Sequence, residues 1–157
     1  MSAPRSIAPV VLLVQPYRDD REMYAEFLRH SGLTPIVTSN AITALAFAPG
    51  ADVIVTGLRL EGTTDGVELI TRLKGCDSTR KVPIIVLTSC AWASEQERAR
   101  TAGCDLLLTK PCLPDHLLLQ IRRVLLSAQA GTARRKTAKV HPQGGPGARR
   151  RPPKRAG

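Results

Sequence analysis

Short runs of Val, Ile and Leu alternate with helix-length stretches along most of the chain, and this alternation restricts the fold more than any other feature. The apolar runs fall at Val10 to Val14, Pro35 to Thr38, Val53 to Thr56, Val82 to Thr88 and Leu106 to Thr109. Runs this short and this continuously apolar read as strands buried on both faces. The stretches between them carry helix-start signals. Asp19 and Asp20 precede REMYAEFLRHSG, Asn40 precedes AITALAFA, and Asp65-Gly66 precedes VELITRLKG. Ser94 to Glu97 reads as a capping box before RARTAGC, and Pro114-Asp115 opens HLLLQIRRVLLSAQ. Gly32, Gly50, Gly75 and Gly103 each stand where a helix should stop.

Five such strand-helix pairs give a parallel sheet, because parallel strands need crossovers, and right-handed crossovers place helices on both faces. The fold class is therefore α/β, a doubly wound five-stranded parallel sheet. Its working edge lies at the carboxyl ends of the strands. The residues there are Gln15, Pro16 and Tyr17, then Gly57, Leu58 and Arg59, then Thr88, Ser89 and Cys90, then Lys110, Pro111 and Cys112.

The length of 157 residues suits one compact domain plus a tail and excludes large multidomain enzymes. Hydrophobic residues make up 43% and aromatics only 3%, so the core is expected to be aliphatic. The net charge of +10 is unevenly placed: residues 1–126 hold 14 Lys+Arg against 13 Asp+Glu, whereas residues 127–157 hold 9 against none. Only the C-terminal part makes a case for a polyanionic partner. No apolar run approaches the eighteen or so residues of a membrane span, and a cytoplasmic protein is expected. Cys76, Cys90, Cys104 and Cys112 have neither zinc-knuckle nor C-x-x-C spacing and read as free thiols.

The expected organisation is an N-terminal extension over 1–8, a domain over 9–127 and a basic tail over 128–157. The tail is rich in Gly, Pro, Arg and Lys and has no apolar run to offset its ordering entropy, so disorder is expected. Its clusters are Arg134-Arg135-Lys136 with Lys139, and Arg149-Arg150-Arg151 with Lys154-Arg155. They lack interleaved aromatics, so nucleic-acid binding through them would be backbone-directed.

Several motifs in register resemble the receiver domains of bacterial two-component response regulators, over residues 9 to 127. VVLLV followed by RDDREMYAEFLRHSG is similar to that family's first strand and helix. ADVIVTGLRLEGTTDGVELITRLK is similar to its third strand, loop and helix, and VPIIVLTS and AGCDLLLTKP to its later strands with their Thr and Lys-Pro. The resemblance implies a flavodoxin-like (βα)5 fold and a role in phosphorelay signal transduction. It also implies an acceptor Asp after the third strand and an acidic pair after the first, together holding Mg²⁺.

Laid on this sequence, the acceptor position falls on Gly57 and the acidic pair on Gln15 and Pro16. Glycine has no side chain to phosphorylate, glutamine offers a neutral oxygen, and proline offers no ligand. Thr88 and Lys110, which in the family contact the phosphoryl group, are kept. Lys110-Pro111 matches the family's cis peptide, and the family's switch aromatic falls on Leu107. The resemblance with these replacements implies a pseudo-receiver that is not phosphorylated, is not an enzyme, needs no cofactor or metal and acts by protein contact.

Asp52 is no substitute acceptor, because it begins its strand, about 16 Å from Gly57 at ~3.3 Å per residue. Asp19 and Asp20 read as the first turn of a helix, where negative charge complements the dipole. Asp65 reads as a helix cap. Loss of the acids leaves Lys110 with Arg59 and Arg18 near one rim, for which a solvated lysine is a simpler reading than an anion pocket. Cys90, Cys112 and His116 lack a third ligand or an orienting acid. The last helix carries Leu117, Ile121 and Val124 toward the sheet and leaves Leu119 and Leu126 one heptad apart near another face. The resemblance makes that face a candidate partner surface. Expected partners are a signalling protein such as a sensor kinase or output protein, a second copy of the chain, and nucleic acid through the tail, with no membrane. No output domain follows the domain, so output is expected from another chain.

Overall fold

The computed structural model describes residues 8–140, with side chains through Gly131. The strands are β1 (Val10–Val14), β2 (Thr34–Thr38), β3 (Val53–Thr56), β4 (Ile84–Thr88) and β5 (Leu106–Thr109). The helices are α1 (Arg18–His30), α2 (Ala41–Phe47), α3 (Gly66–Lys74), α4 (Ala93–Ala102) and α5 (Pro114–Val140). The strands form one parallel sheet in the order β2-β1-β3-β4-β5, the doubly wound α/β arrangement expected.

Alternation along the strands divides the core in two. Leu12, Val14, Ile54, Ile84 and Val86 pack with Ala41 and Ala44 of α2, Leu69, Ile70 and Leu73 of α3, and Ala99 of α4. Val11, Leu13, Val53, Val55, Ile85 and Leu87 pack on the other face with Tyr24, Ala25 and Leu28 of α1 and Leu117 and Ile121 of α5. The central strands are sealed: Leu12, Leu13, Ile54, Ile84, Ile85 and Leu87 are fully buried. Each such side chain contributes about 1.5–3 kcal/mol by leaving water, so no strand of the centre can slip by one residue without inverting both cores.

The amino ends of the strands are fastened by carboxylates. The Val10 amide donates to Asp52 Oδ2 at 2.8 Å, and the Ile84 amide donates to Asp105 Oδ2 at 2.8 Å. Asp52 thus lies at the edge opposite the strand ends of interest, as its place in the sequence implies. Asn40 and Asp65 cap α2 and α3, accepting from the amides of Thr43 and Glu68 at 2.9 Å. Gly103, at φ 119°, takes the left-handed conformation that closes α4.

Three local expectations are corrected. β4 begins at Ile84 rather than Val82, since Pro83 has no N–H for a ladder and contributes only its carbonyl, which accepts from the Ile54 amide at 3.0 Å. The capping box at Ser94 does not form: α4 starts at Ala93 with Trp92 at its cap, which puts Ser94 inside the first turn. The last helix runs past Ser127 to Val140, so 128–140 is helical instead of structureless. That segment, AQAGTARRKTAKV, is dominated by Ala, Arg and Lys, and extending a helix already nucleated on the sheet costs little. Arg134, Arg135, Lys136 and Lys139 belong to this helix, while Arg149, Arg150 and Arg151 lie outside the described residues. The chain divides between Leu125 and Leu126: the first unit holds the sheet and its helices, the second the C-terminal part of α5.

Candidate functional site

The carboxyl ends of β1, β3, β4 and β5 surround a cavity of about 360 Å³. Gln15, Pro16 and Tyr17 enter it from β1, Gly57, Leu58 and Arg59 from β3, Thr88 to Trp92 from β4, and Lys110 from β5. The strand register brings these residues together. The Gly57 amide donates to the Val14 carbonyl at 2.9 Å, and the Lys110 amide donates to the Thr88 carbonyl at 2.8 Å.

On the β1–β3 side, Gln15 is fully buried. Its Nε2 donates to the Leu87 carbonyl at 3.2 Å, leaving Oε1 buried without a hydrogen-bond partner. Arg21 of α1 donates to the carbonyls of Gln15 and Pro16 at 2.9 and 3.1 Å and fixes this turn. The loop after β3 folds back tightly, since the Gly66 amide donates to the Leu58 carbonyl at 2.8 Å. A Cβ at Gly66 would stand 2.1 Å from the Gly57 carbonyl oxygen, so only glycine permits this approach.

The β4–β5 side is polar and charged. Thr88 Oγ1 accepts from the Cys90 amide at 3.0 Å, and the Cys90 carbonyl accepts from Gln96 of α4 at 3.1 Å. The Lys110-Pro111 peptide is cis, as the resemblance implies. Lys110 Nζ donates to Asp20 Oδ2 of α1 at 2.5 Å and lies 5.7 Å from the centroid of the Tyr17 ring. The Lys110 side chain is only 15% exposed, so the pair is partly desolvated.

Asp20 is the functional residue that sequence reasoning missed. It was assigned to the helix dipole, and it does stand in the first turn of α1, but its carboxylate also neutralises Lys110. An acid on the helix that follows β1, facing the lone lysine after β5, was the available signal. Arg18 instead pairs with Glu22 at 2.7 Å in solvent, whereas Arg59 does line the cavity. Trp92 was also unremarked. It and Tyr17 stand at the cavity 69% and 64% exposed.

The remaining candidates lie elsewhere. Leu107 is partly buried against the α2–α4 core, and Leu119 and Leu126 are exposed on α5. Cys90 packs against one core and Cys112 within the other, on opposite faces of the sheet. Burial pushes the Cys112 thiol up, with the charge of Asp115 adding to it. Burial likewise raises the Tyr24 phenol, with smaller contributions from Cys112 and Asp20, to about 12. Its hydroxyl donates to the Cys112 carbonyl at 2.6 Å, tying α1 to the segment after β5. No described helix is long and apolar enough to cross a membrane.

The chain is similar in sequence and fold to known proteins. A family model described as the response regulator receiver domain matches residues 11–122. The polar-differentiation response regulator DivK of Brucella anthropi is 29% identical over 103 residues, covering 64% of this chain and 83% of DivK. The phosphate regulon transcriptional regulatory protein PhoB of Escherichia coli is 28% identical over 117 residues, covering 73% of this chain. The matched part is 51% of PhoB, so the chain spans about half of that relative. The receiver domain of the sensor histidine kinase PA1611 from Pseudomonas aeruginosa, solved with a magnesium ion in its active-site cleft, superposes with a TM-score of 0.69. It is 26% identical, covering 75% of this chain and 98% of that domain. With the sheet order and the matched span in agreement, the chain belongs to the response regulator receiver domain family of two-component signalling.

Proposed function

We propose that this domain is a pseudo-receiver: it takes no phosphoryl group, is not an enzyme, and signals from the cytoplasm by contact with another protein, such as a sensor kinase or an output protein. One observation carries the reading. The side chains at the ends of β1 and β3 supply no carboxylate, and the cation opposite them is already paired with Asp20.

A divalent magnesium ion requires hard oxygen donors, chiefly carboxylates, in octahedral array. The relative PA1611 holds such an ion. Here Gln15 offers one neutral oxygen, Pro16 and Gly57 offer no side-chain donor, and Asp20 is engaged 2.5 Å from Lys110. The residues present do not fit the ion. Phosphoryl transfer to a carboxylate needs that charge to offset repulsion between the reacting oxygens, and it needs the carboxylate itself.

The Asp20–Lys110 pair supports a fixed state. In a phosphorylated receiver the family's lysine answers to charge on the acceptor, whereas in this chain a carboxylate of α1 supplies that charge permanently. With Leu at position 107, no aromatic ring couples the strand to Thr88. The contact surface proposed is the part of α5 in the first unit, where Leu119 is 52% exposed; Leu126, 66% exposed, is a candidate contact residue of the second unit. That surface would serve a partner or a second copy of the chain.

The test is incubation with a small phosphodonor and Mg²⁺ followed by intact mass measurement. The expected result is an unchanged mass. A stoichiometric adduct with the lability of an acyl phosphate overturns the proposal.

A second reading rests on charge: residues 127–157 hold nine cations and no acid. Binding of duplex DNA should then fall steeply with salt and weaken when Arg134, Arg135, Lys136, Arg149, Arg150 and Arg151 are changed to Gln. Salt-insensitive binding contradicts it.

A further inference from the structure

The cavity at the strand ends has features that a pure docking module does not use. Its lining includes Arg59 and Lys110 and no acidic residue. Lys110 is neutralised from outside the lining by Asp20, but Arg59 forms no hydrogen bond or ion pair among the described residues and is exposed. Tyr17 and Trp92, which also line the cavity, expose large aromatic surfaces. Thr88 and Ser89 add hydroxyls. Exposed aromatics are costly in water and are offset when a flat π-surface covers them. A free guanidinium favours a planar oxyanion, which it can grip with two parallel N–H donors. The volume of about 360 Å³ is at the small end for organic ligands.

We propose that this cavity binds a small planar aromatic acid, with its ring against Tyr17 and Trp92 and its carboxylate on Arg59. The proposal rests on the reading that the cavity takes neither Mg²⁺ nor a phosphoryl group, and it adds a chemical input to a module otherwise described by protein contact alone. Gln15 lines the cavity but exposes no surface to solvent, and it takes no part in the recognition proposed.

Trp92 is the single tryptophan of the chain, so its indole N–H gives one unambiguous NMR signal located at the site. Titration of the full chain with 2-naphthoate should move that signal and the amides of Ser89 and Cys90 saturably, with a Kd below about 1 mM. Cyclohexanecarboxylate, which has the charge without the flat ring, and 2-naphthalenemethanol, which has the ring without the charge, should each bind at least about tenfold more weakly. Arg59→Gln should weaken 2-naphthoate by about tenfold, and Tyr17→Ala by roughly fivefold. Both residues are exposed, so the variants should keep the wild-type circular dichroism. Absence of saturation, equal affinity for the three probes, or binding unchanged in Arg59→Gln overturns the proposal. The titration contains neither Mg²⁺ nor a phosphodonor. Failure here therefore leaves the pseudo-receiver reading standing, while a phosphoryl adduct in the earlier experiment removes that reading by a separate result.

Discussion

The two sides of one sheet edge differ in chemistry although they share a backbone. At the ends of β4 and β5, Thr88 and Lys110 carry a hydroxyl and a cation. At the ends of β1 and β3, an amide, an imino acid and a glycine supply no carboxylate. The backbone on that side is nevertheless as tightly specified as on the other, by Arg21 on the Gln15 and Pro16 carbonyls and by Gly66 against Gly57. On the proposed reading, the architecture of a phosphorylation site and its reactivity are separable: the sheet builds the first, and three positions decide the second.

The most disruptive way to break the contrast is to restore the acids. A Cβ at Gly57 would meet its neighbours at 3.5–3.6 Å, which is ordinary contact, so the backbone there accepts the first atom of a side chain. The triple variant Gln15→Asp, Pro16→Asp, Gly57→Asp should gain a Mg²⁺-dependent, labile phosphoryl adduct by intact mass, where the parent gains none. A folded triple variant that stays unmodified shows that something other than those three side chains silences the site.

Next in size is the turn after β3. Gly66→Ala forces a methyl against the Gly57 carbonyl and should lower stability by about 2–3 kcal/mol in urea melts. A loss near zero would mean that the turn is not held as described.

The bridge between the two sides is Asp20. Asp20→Asn leaves Lys110 partly buried without its counter-charge and should cost about 1–2 kcal/mol, less than breaking a fully buried pair. Adding salt should shrink the difference only partly, because the lysine is mostly shielded.

The smallest effect at neutral pH is expected at Tyr24, which anchors the segment after β5 to α1. Tyr24→Phe should cost about 1 kcal/mol by loss of one hydrogen bond. Because the folded phenol titrates near 12 and an unperturbed one near 10, its contribution is fully present below pH 10 and is lost as pH rises toward 12. Urea midpoints between pH 9 and about 11.5 should therefore fall more steeply for the parent than for Tyr24→Phe. Parallel curves contradict the assignment.

The sheet was legible because its signals are local. Apolar runs of strand length gave β1, β3 and β5 with their observed bounds, and Asn40 and Asp65 marked two helix starts that their side chains do cap. The start of α4 was misplaced because Ser94 and Glu97 carry the capping pattern while the helix begins one residue earlier. The length of α5 was underestimated because the Gly and Pro of 142–157 coloured the reading of an Ala-rich segment before them. The positions facing the cavity could be assigned from register with the family's motifs. The Asp20–Lys110 contact joins residues ninety apart in sequence, and only the fold that brings the first turn of α1 to the segment after β5 creates it. No short-range pattern encodes such a pair. Nor does any local pattern bring Trp92 and Tyr17 to one rim.

On the proposed reading, this strand-end site has no affinity for a divalent cation and no acceptor. A Mg²⁺ titration of the unmodified protein, followed through the Gln15 side-chain amide and the Gly57 backbone amide by NMR, tests it most directly. Signals that stay in place through millimolar Mg²⁺ are the predicted result. A saturable movement of both would show that oxygen donors assemble there after all, and the account would have to be abandoned.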